Sequence, residues 1–412
     1  MRTTIILCSV FALGACGFLG FKIRHDPSND FMDMVKSYGY TVESHDVQTE
    51  DGYILTMFRI PHGRQDNKGK YSKSGNQYSS SSSPEEESKG VVFFMHGLMT
   101  NSESFIYGGP SESIALYLAD KGYDVFFGNS RGTIYGQRHT TLDPKKDASF
   151  WRYCFDHIGT RDLPAMISKA LSVSGQSKLS YIGHNEGTTS FYVLASEMPE
   201  MKSKIERHIS LGPVVFLRHS SNDVLHNIEE HMKQRSWVIK NLGVNTFAPS
   251  SELTHDAESN CMEKWNNEKV CKNTFFLVNG YNSKHWNQTT MNQFMSRVPS
   301  VASVREILHL VQLKRTGRFE AYSEESEGKE YDLSKVTIPV ALFYTPNDVL
   351  ISTTDVDTLA KELPNVYWQV NMEELDNNLD LLYSKDMNQM KEKVEQALQK
   401  DIQFLNENNN LY

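Results

Sequence analysis

The segment YIGHNEGTTS, Tyr181–Ser190, has the glycine spacing of a sharp turn that presents a nucleophile between a strand and a helix. In that turn the pattern G-x-S-x-G places a serine between two small residues, because the backbone is pinched on both sides. Here Gly183 and Gly187 flank Asn185 instead of a serine. A carboxamide has no ionisable O–H and is a very poor nucleophile. The sequence therefore predicts an intact turn without the side chain that would do covalent chemistry.

The general base that such a serine would need is missing as well. Where this turn carries a catalytic triad, the order along the chain is nucleophile, acid, histidine. Asp348 lies in FYTPNDVLIS, just beyond a predicted strand, in a good position for the acid. The last histidine of the chain is His309, so no histidine follows Asp348. Nucleophile and base are therefore absent for independent reasons.

A literal G-x-S-x-G does occur earlier, in GNSRG, where Ser130 lies between Gly128 and Gly132. The segment follows a predicted strand, but the residues after it include Gly136 and Pro144 and do not form a convincing helix. Because a motif counts only in its structural context, we interpret GNSRG as a glycine-rich loop that closes a strand. The alternative is a nucleophilic Ser130.

Buried strands and intervening helices should position these residues. Four runs are continuously apolar, as parallel strands covered on both faces are, and helical patterns such as 111–121 and 163–174 lie between them. The four runs are Gly90–Leu98, Gly122–Gly132, Lys178–His184 and Val336–Thr345. Strands that alternate with helices predict a mostly parallel sheet, so the expected fold class is α/β.

The chain of 412 residues is long enough for one large α/β domain with an insertion. Residues 215–317 break the strand–helix rhythm, and we interpret them as a mainly helical cap inserted into the core. The core then comprises residues 21–214 and 318–412. Within its first part, a polar tract at about 64–89 contains SSSSSPEEES and predicts a disordered surface loop.

The N-terminus predicts a secretory signal peptide over residues 1–20. Arg2 precedes the apolar run Ile5–Leu13, and small residues follow at Gly14–Gly17. The run is too short for a membrane span and basic residues follow soon after it, so we expect no stable transmembrane segment. A bacterial lipobox at Leu13–Cys16 is the alternative interpretation of the same residues.

Three cysteines remain once a signal peptide is removed. Cys261 and Cys271 are close in sequence within a chain expected to enter an oxidising compartment, so we expect a local disulfide, with two unpaired thiols as the alternative. Cys154 lies among aromatic residues and is expected to be a buried free thiol. No second Cys/His pair has ligand spacing, so we expect no metal and no other cofactor. The net charge of −9 argues against nucleic acid as a partner.

The order of several motifs resembles the acid lipase family, the gastric and lysosomal type of neutral-lipid lipase. The motifs are TEDGYIL, RIPHGR, HGL, GYDVFFGNSRG, FWRYCFDHIGTRDLPA, GHNEGTT and LGPV. The resemblance runs from about Tyr40 to the C-terminal helix and implies an α/β-hydrolase core with a cap and lid over a lipid-binding cleft. With the predicted signal peptide, it implies a secreted, extracellular protein, the lysosomal lumen being the alternative.

Carried over position by position, the resemblance places Asn185 where the family has its serine and Asp348 where it has its acid. The segment NLDLLYS, Asn378–Ser384, matches the segment that carries the family's histidine. Asn378 therefore stands at the histidine position. Two of the three triad positions hold asparagine.

The resemblance assigns further positions around the site. Leu98 and Glu186 stand where two backbone N–H groups form the oxyanion hole, and an ionised Glu186 turned inward would oppose an anionic intermediate. Cys261 and Cys271 resemble the family's cap disulfide. Asn287 in NQT is a glycosylation sequon within the predicted cap.

Two functions compete on these grounds. The first is a secreted or lumenal lipase-like protein without ester hydrolysis, which binds a lipid, an acyl ester or an unknown protein partner. The second is a lipid ester hydrolase, acting on triacylglycerols or sterol esters, with weak or atypical activity. Losing a triad lowers kcat by a factor on the order of 10⁶. The remaining rate is still roughly 10³–10⁴ times that of the uncatalysed reaction in water. Two separate asparagines exceed what a designed knock-out carries, so the sequence favours a diverged, inactive homologue.

Overall fold

The computed structural model describes residues 30–64, 88–248, 271–280, 285–286, 288–324 and 328–401, with positions 250, 253, 255 and 259. The predicted signal peptide and nearly all of the predicted polar loop lie outside these residues. Within the described part of the chain, no helix combines the length and apolar character that crossing a membrane requires.

In the described part of the chain, nine strands form one central sheet. They are β1 Glu43–Gln48, β2 Tyr53–Ile60, β3 Val91–Met95, β4 Asp124–Gly128, β5 Arg138–His139, β6 Leu179–His184, β7 Ile205–Leu211, β8 Val340–Tyr344 and β9 Val366–Asn371. The order is β1-β2-β4-β3-β6-β7-β8-β9, with β5 paired to β2. All pairs from β4 to β9 along this order are parallel, and β2 joins β1, β4 and β5 in antiparallel fashion. The predicted α/β class with a mostly parallel sheet is confirmed.

Helices connect the strands and cover the sheet. They are α1 Asp30–Ser37, α2 Gly109–Glu112, α3 Ile114–Asp120, α4 Phe155–His157, α5 Leu163–Ser174, α6 Glu186–Glu197, α7 Asp223–His231, α8 Arg235–Leu242, α9 Thr274–Asn279, α10 Gln288–Met295, α11 Val304–Thr316, α12 Thr353–Glu362, α13 Asp380–Tyr383 and α14 Asn388–Gln399. Shorter 3₁₀ turns lie at Ser102–Phe105, Ala148–Trp151, Pro199–Lys204 and Leu333–Lys335, and a π-helical turn at Ile158–Asp162 joins α4 to α5.

The central strands are buried from end to end, which explains their continuous apolar sequences. Every residue of β3, β4 and β6 is buried. The predicted strands over Gly90–Leu98 and Gly122–Gly132 are longer than the observed ones, because the glycine-containing ends leave the sheet as turns. Helices α7 to α11 fall within residues 215–317, where a helical cap is expected. The boundaries of that cap stay a prediction.

A buried ion network fixes the loop that contains GNSRG. Arg131 is only 2 % exposed, and its guanidinium donates to Asp162 Oδ1 at 2.6 and 2.9 Å and to both oxygens of Asp51 at 2.7 and 3.0 Å. The guanidinium carbon also lies 4.0 Å from the centroid of the Tyr53 ring. A buried arginine needs such partners, because an uncompensated charge would be strongly destabilising. The motifs TEDGYIL, GNSRG and RDLPA are therefore joined by structural contacts.

Candidate active site

The turn after β6 has the strained geometry that a nucleophile position requires. Asn185 has φ 51° and ψ −119°, and within the described residues only Met99 shares a positive φ among the non-glycine positions. The flanking glycines are required by space. A Cβ at Gly183 would lie 2.8 Å from the Gly187 carbonyl, and a Cβ at Gly187 would lie 2.3 Å from Met95 O. The predicted turn architecture is present, with asparagine at its apex.

The Asn185 carboxamide is held by two hydrogen bonds. Its Oδ1 accepts from the backbone N–H of Glu186 at 2.8 Å, and its Nδ2 donates to Asn279 Oδ1 at 3.1 Å. Because a backbone N–H can only donate, this contact fixes which end of the amide carries oxygen. Asn185 and Asn279 are each 2 % exposed. The side chain thus occupies the Glu186 N–H, one of the two proposed oxyanion donors, and is covered by the last residue of α9.

The second proposed oxyanion position, Leu98, lies in the turn that follows β3. A Cβ added at Gly97 would lie 2.8 Å from Asn185 Cβ, so only glycine lets this turn approach the apex so closely. Met99, directly after Leu98, has the positive φ of 58° noted above. Leu98 is 3 % exposed. The structure therefore brings both predicted oxyanion positions next to Asn185.

Asp348 and Asn378 meet at the carboxyl ends of the strands. The Asn378 side-chain Nδ2 donates to Asp348 Oδ2 at 2.7 Å, and its backbone N–H donates to the same oxygen at 2.6 Å. The other carboxylate oxygen accepts from the N–H groups of Leu350 and Ile351 at 2.7 and 3.0 Å. Burial raises the pKa of Asp348 to about 6, despite these four donors. Asn378 thus makes the contact to the acid that a histidine would make.

The other end of the Asn378 amide cannot do what a histidine would do. Within the described part of the chain, its Oδ1 is buried and no donor lies within hydrogen-bonding distance of it. An amide oxygen is a very weak base, so it cannot take a proton from a hydroxyl at neutral pH. The position keeps the hydrogen bond to the acid and lacks the basic nitrogen.

His184 is a site residue that sequence reasoning missed. Its Nε2–H donates to the backbone carbonyl of Asn378 at 3.1 Å and so ties the end of β6 to the loop of the third triad position. Burial lowers the pKa of His184 to about 4, so the ring is neutral. With its Nε2 proton committed to a carbonyl, His184 positions the loop. Its place in GHNEG next to Asn185 was the only sequence signal.

Ser130 also has a histidine partner that the sequence did not reveal. The backbone N–H and the hydroxyl of Ser130 lie 3.1 and 3.3 Å from His96 Nε2. His96 Nδ1–H donates to the carbonyl of Gly97 at 2.9 Å, so Nε2 is the accepting nitrogen. Burial lowers the pKa of His96 to about 4. A serine–histidine contact therefore exists, but a backbone carbonyl, not a carboxylate, orients the ring.

Glu186 does not bring an isolated charge to the site. Its side chain is buried beside the carboxyl group of Glu306 on α11, and within the described residues its Oε1 meets no hydrogen-bond donor. Burial raises the pKa of Glu186 to about 8 and that of Glu306 well above its ordinary value, and the charge of Glu186 raises the pKa of Glu306 further, so both carboxyl groups are protonated at neutral pH. Glu306 also accepts from the Ser303 N–H at 2.6 Å. The hypothesis of a charge opposing an oxyanion is not supported by this arrangement.

The remaining predicted positions are only partly described. Cys271 is buried and disulfide-bonded, whereas Cys261 lies outside the described residues, so the pairing of these two stays a prediction. Cys154 is a buried free thiol, as expected. Asn287 also lies outside the described residues, and its glycosylation stays a prediction.

Comparison with known proteins gives relatives along nearly the whole chain. Residues 31–109 match the family model described as the partial alpha/beta-hydrolase lipase region. Gastric triacylglycerol lipase of Rattus norvegicus is 30% identical over 393 residues, which cover 90% of this chain and 92% of that protein. Lipase 1 of Drosophila melanogaster is 31% identical over 383 residues, which cover 90% of this chain and 79% of that protein. An epoxide hydrolase structure from Vigna radiata covers 87% of this chain and 98% of its own at 13% identity, with a TM-score of 0.50, a likeness of fold alone.

Proposed function

This chain belongs to the acid lipase family of α/β-hydrolases, and from that premise we propose that it is a family member without ester hydrolysis. The observation that carries the proposal is the pair of asparagines at the two reacting positions. Asn378 keeps the hydrogen bond to Asp348 at 2.7 Å but offers no basic nitrogen, and the Asn185 amide accepts the Glu186 N–H.

Acyl transfer needs a nucleophile, a general base and free oxyanion donors, and this chain does not supply them at the proposed positions. A serine hydroxyl would attack the ester carbonyl while histidine removes its proton, and backbone N–H donors would stabilise the resulting oxyanion. In this chain the attacking atom and the proton acceptor are both replaced by amides. One proposed oxyanion donor, Glu186 N–H, is already bonded to Asn185 Oδ1. A substrate oxygen would have to displace that bond, with no covalent step to follow.

The experiment that tests inactivity uses the purified wild-type protein and an active gastric lipase as positive control. We expect no turnover of a short-chain ester above the rate of a heat-denatured sample and no labelling by a serine-directed fluorophosphonate. Stoichiometric labelling, mapped to a peptide, together with turnover that the label abolishes, would overturn the proposal.

We further propose that the protein binds a lipid or an acyl ester beneath its helical segments. Support comes from an aromatic cluster between α9, α10 and α13, close to the covered apex. Phe276, Phe294, Trp286 and Tyr383 contact one another with ring centroids 4.8–5.8 Å apart. In the described conformation these rings fill the space between the helices. A bound acyl chain would have to separate them, which requires α9 and α10 to move away from the sheet.

A photoreactive acylglycerol tests this binding. Irradiation followed by peptide mapping should place the label on residues 274–295 and on the segment around Tyr383, and excess unlabelled triacylglycerol should remove it. Labelling that is spread over the surface and persists in excess unlabelled triacylglycerol would contradict the proposal. A protein partner would then be the ligand to search for.

A second candidate function rests on one observation, the contact between Ser130 and His96 at 3.3 Å. It is the proposed route to weak or atypical ester hydrolysis. Against it, Ser130 is 3 % exposed, and among the described residues the Nδ1–H of His96 donates to a backbone carbonyl and to no carboxylate. The variant Ser130→Ala decides between the two functions, because it would abolish any residual turnover if Ser130 is the nucleophile and leave that turnover unchanged otherwise.

The proposed location is extracellular, with the lysosomal lumen as the alternative. The signal-like N-terminus and the disulfide-bonded Cys271 support passage through an oxidising compartment. Expression of the full chain in cultured cells, followed by comparison of medium and lysosomal fractions, distinguishes the two. Retention in the cytosol with an uncleaved N-terminus would contradict both.

A further inference from the structure

A second cluster of reactive side chains lies outside the candidate active site. Cys154, Asp156 and His309 each present one ligand atom, and these atoms lie within 4.8 Å of one another. Cys154 Sγ is 3.4 Å from Asp156 Oδ2, and His309 Nδ1 is 3.7 Å from Asp156 Oδ1. Thiolate, carboxylate and imidazole are the donor types of zinc sites.

The His309 ring is fixed in the orientation that a metal ligand needs. Its Nε2 lies 2.7 Å from the backbone oxygen of Glu320, and since a carbonyl can only accept, Nε2 carries the proton. Nδ1 of the neutral ring therefore keeps its lone pair. The ring stacks on Phe155 with a centroid distance of 3.6 Å and an interplanar angle of 11°. Metal-binding histidines are typically held in this way by a donor bond from the other ring nitrogen.

The lone pair of His309 Nδ1 has no donor to meet it. Within the described part of the chain, this atom is buried and lacks a hydrogen-bond partner, and the residue is 0 % exposed. It faces Asp156, whose oxygens already accept from the Tyr331 hydroxyl and from the Tyr322 N–H at 3.0 Å. A lone pair opposite a carboxylate is repulsive unless a positive charge lies between them. A single proton between His309 Nδ1 and the Asp156 carboxylate would relieve this repulsion with those two groups alone. The thiol of Cys154 also converges on the same place, which favours a metal ion with three ligands.

We propose that Cys154, Asp156 and His309 bind a divalent zinc-type ion. Around a tetrahedral Zn²⁺ with metal–ligand bonds of 2.0–2.3 Å, neighbouring ligand atoms lie roughly 3.3–3.7 Å apart. Cys154 Sγ and His309 Nδ1 lie at distances of that size from the Asp156 carboxylate, although from different oxygens, 3.4 Å from Oδ2 and 3.7 Å from Oδ1. On binding, the Cys154 S–H proton leaves to solvent and the sulfur, Nδ1 and one carboxylate oxygen bond to the ion. The Asp156 side chain is 20% exposed, which gives the ion a path of entry and leaves the fourth position to water.

The ion would join two separate parts of the fold. Cys154 and Asp156 lie at the start of α4, while His309 lies on α11, which also carries the partner of Glu186. Metal binding would therefore hold α11 against the core beside α6. Sequence spacing could not reveal the site, because residues 156 and 309 are brought together only by the tertiary fold. The inference is independent of whether the protein hydrolyses esters.

The test uses the purified full-length protein with its disulfide left intact, freed of metal with a chelator and kept under argon so that Cys154 stays a thiol. Titration with Co²⁺ should give one equivalent of tetrahedral cobalt with a thiolate-to-cobalt charge-transfer band, and Zn²⁺ should displace it. Cys154→Ser should lose that band, and Cys154→Ser and His309→Gln should each weaken zinc binding by at least about 100-fold, beyond the usual loss of an outer-shell partner. His226→Gln, which changes an exposed histidine outside the cluster, should bind like wild type.

A measurement on the wild-type protein keeps the test valid if a variant fails to fold. In mild denaturant, one equivalent of Zn²⁺ should slow alkylation of Cys154 at least about tenfold relative to Mg²⁺, because only the thiolate-binding ion covers the sulfur. Equal alkylation rates with the two ions would overturn the proposal. So would the absence of a thiolate band, or zinc affinity in the folded cluster variants equal to that of wild type, which would indicate surface binding only.

Discussion

The Asn378 side-chain amide donates a hydrogen bond of 2.7 Å to the Asp348 carboxylate, so the acid position of the triad still has a partner. If Asn378 stands at the histidine position, as we propose, that bond explains how the loop keeps its geometry without a histidine. Asp348 stays buried among four N–H donors, and the turn at Asn185, helix α6 and the turn that contains Leu98 are also present. On the proposed assignment of Asn185 and Asn378, the scaffold of the reaction is retained without the two groups that would move the proton and form the covalent bond.

The bond between Asn185 and Asn279 should contribute measurably to the closure of α9 over the apex. A double-mutant cycle with Asn185→Ala and Asn279→Ala should give a coupling energy of about 0.5–1.5 kcal/mol in the free energy of unfolding, the range of a buried neutral hydrogen bond. Asn273→Ala is the matched control, because this asparagine caps the other end of the same helix. Its cycle with Asn185→Ala should be additive. If the coupling energy between Asn185 and Asn273 equalled that between Asn185 and Asn279, the effect would not be specific to the hydrogen bond.

Stability should fall towards alkaline pH because of Glu186. Burial raises its pKa to about 8, above the ordinary value of 4.5, so between these values the folded state holds more protons than the unfolded one. The stabilisation is therefore complete below about pH 4.5 and is lost as the pH rises through about 8. Glu186→Gln should flatten the decrease in Tm between about pH 5 and 9, whereas the exposed Glu200→Gln should leave it unchanged. Parallel profiles for wild type and Glu186→Gln would refute the assignment.

Arg131 should be among the most sensitive positions of the core. The variant Asp162→Asn leaves the buried charge of the Arg131 guanidinium partly uncompensated. It should lower the free energy of unfolding, measured by chemical denaturation, by about 3–5 kcal/mol. The matched control is Asp46→Asn, which breaks the exposed pair of Asp46 with Arg138 and should cost less than about 1 kcal/mol. Similar losses for the two variants would contradict the structural role of the GNSRG loop.

Local sequence patterns predicted the sharp turn at Asn185 because its requirements are local. The spacing of Gly183 and Gly187 and the helical pattern after Asn185 follow from the backbone conformation of the turn itself. The contacts that decide its environment join distant segments. Examples are the bond to Asn279 and the proximity of Glu186 to Glu306, which decides whether Glu186 carries a charge. No periodicity or spacing encodes such pairs, because they depend on how the helices pack on the sheet.

Rebuilding the triad tests the central claim most directly. Asn185→Ser alone supplies a hydroxyl without a base, and Asn378→His alone supplies a base without a nucleophile, so each should remain near the wild-type rate. The double variant places both beside the retained Asp348 and frees the Glu186 N–H from the Asn185 amide. Adding Glu186→Gln should change little, because that carboxyl group is neutral when paired with Glu306.

The measurement is kcat/KM on one soluble ester for wild type, the two single variants, the double and the triple, with folding checked by circular dichroism. We predict that the double variant rises at least about 100-fold above either single variant and becomes labelled by a fluorophosphonate at position 185, since triad members act as a unit. A folded double variant as inactive as wild type, or a single variant as active as the double, would contradict the claim that two asparagines on an intact lipase scaffold account for the missing reaction.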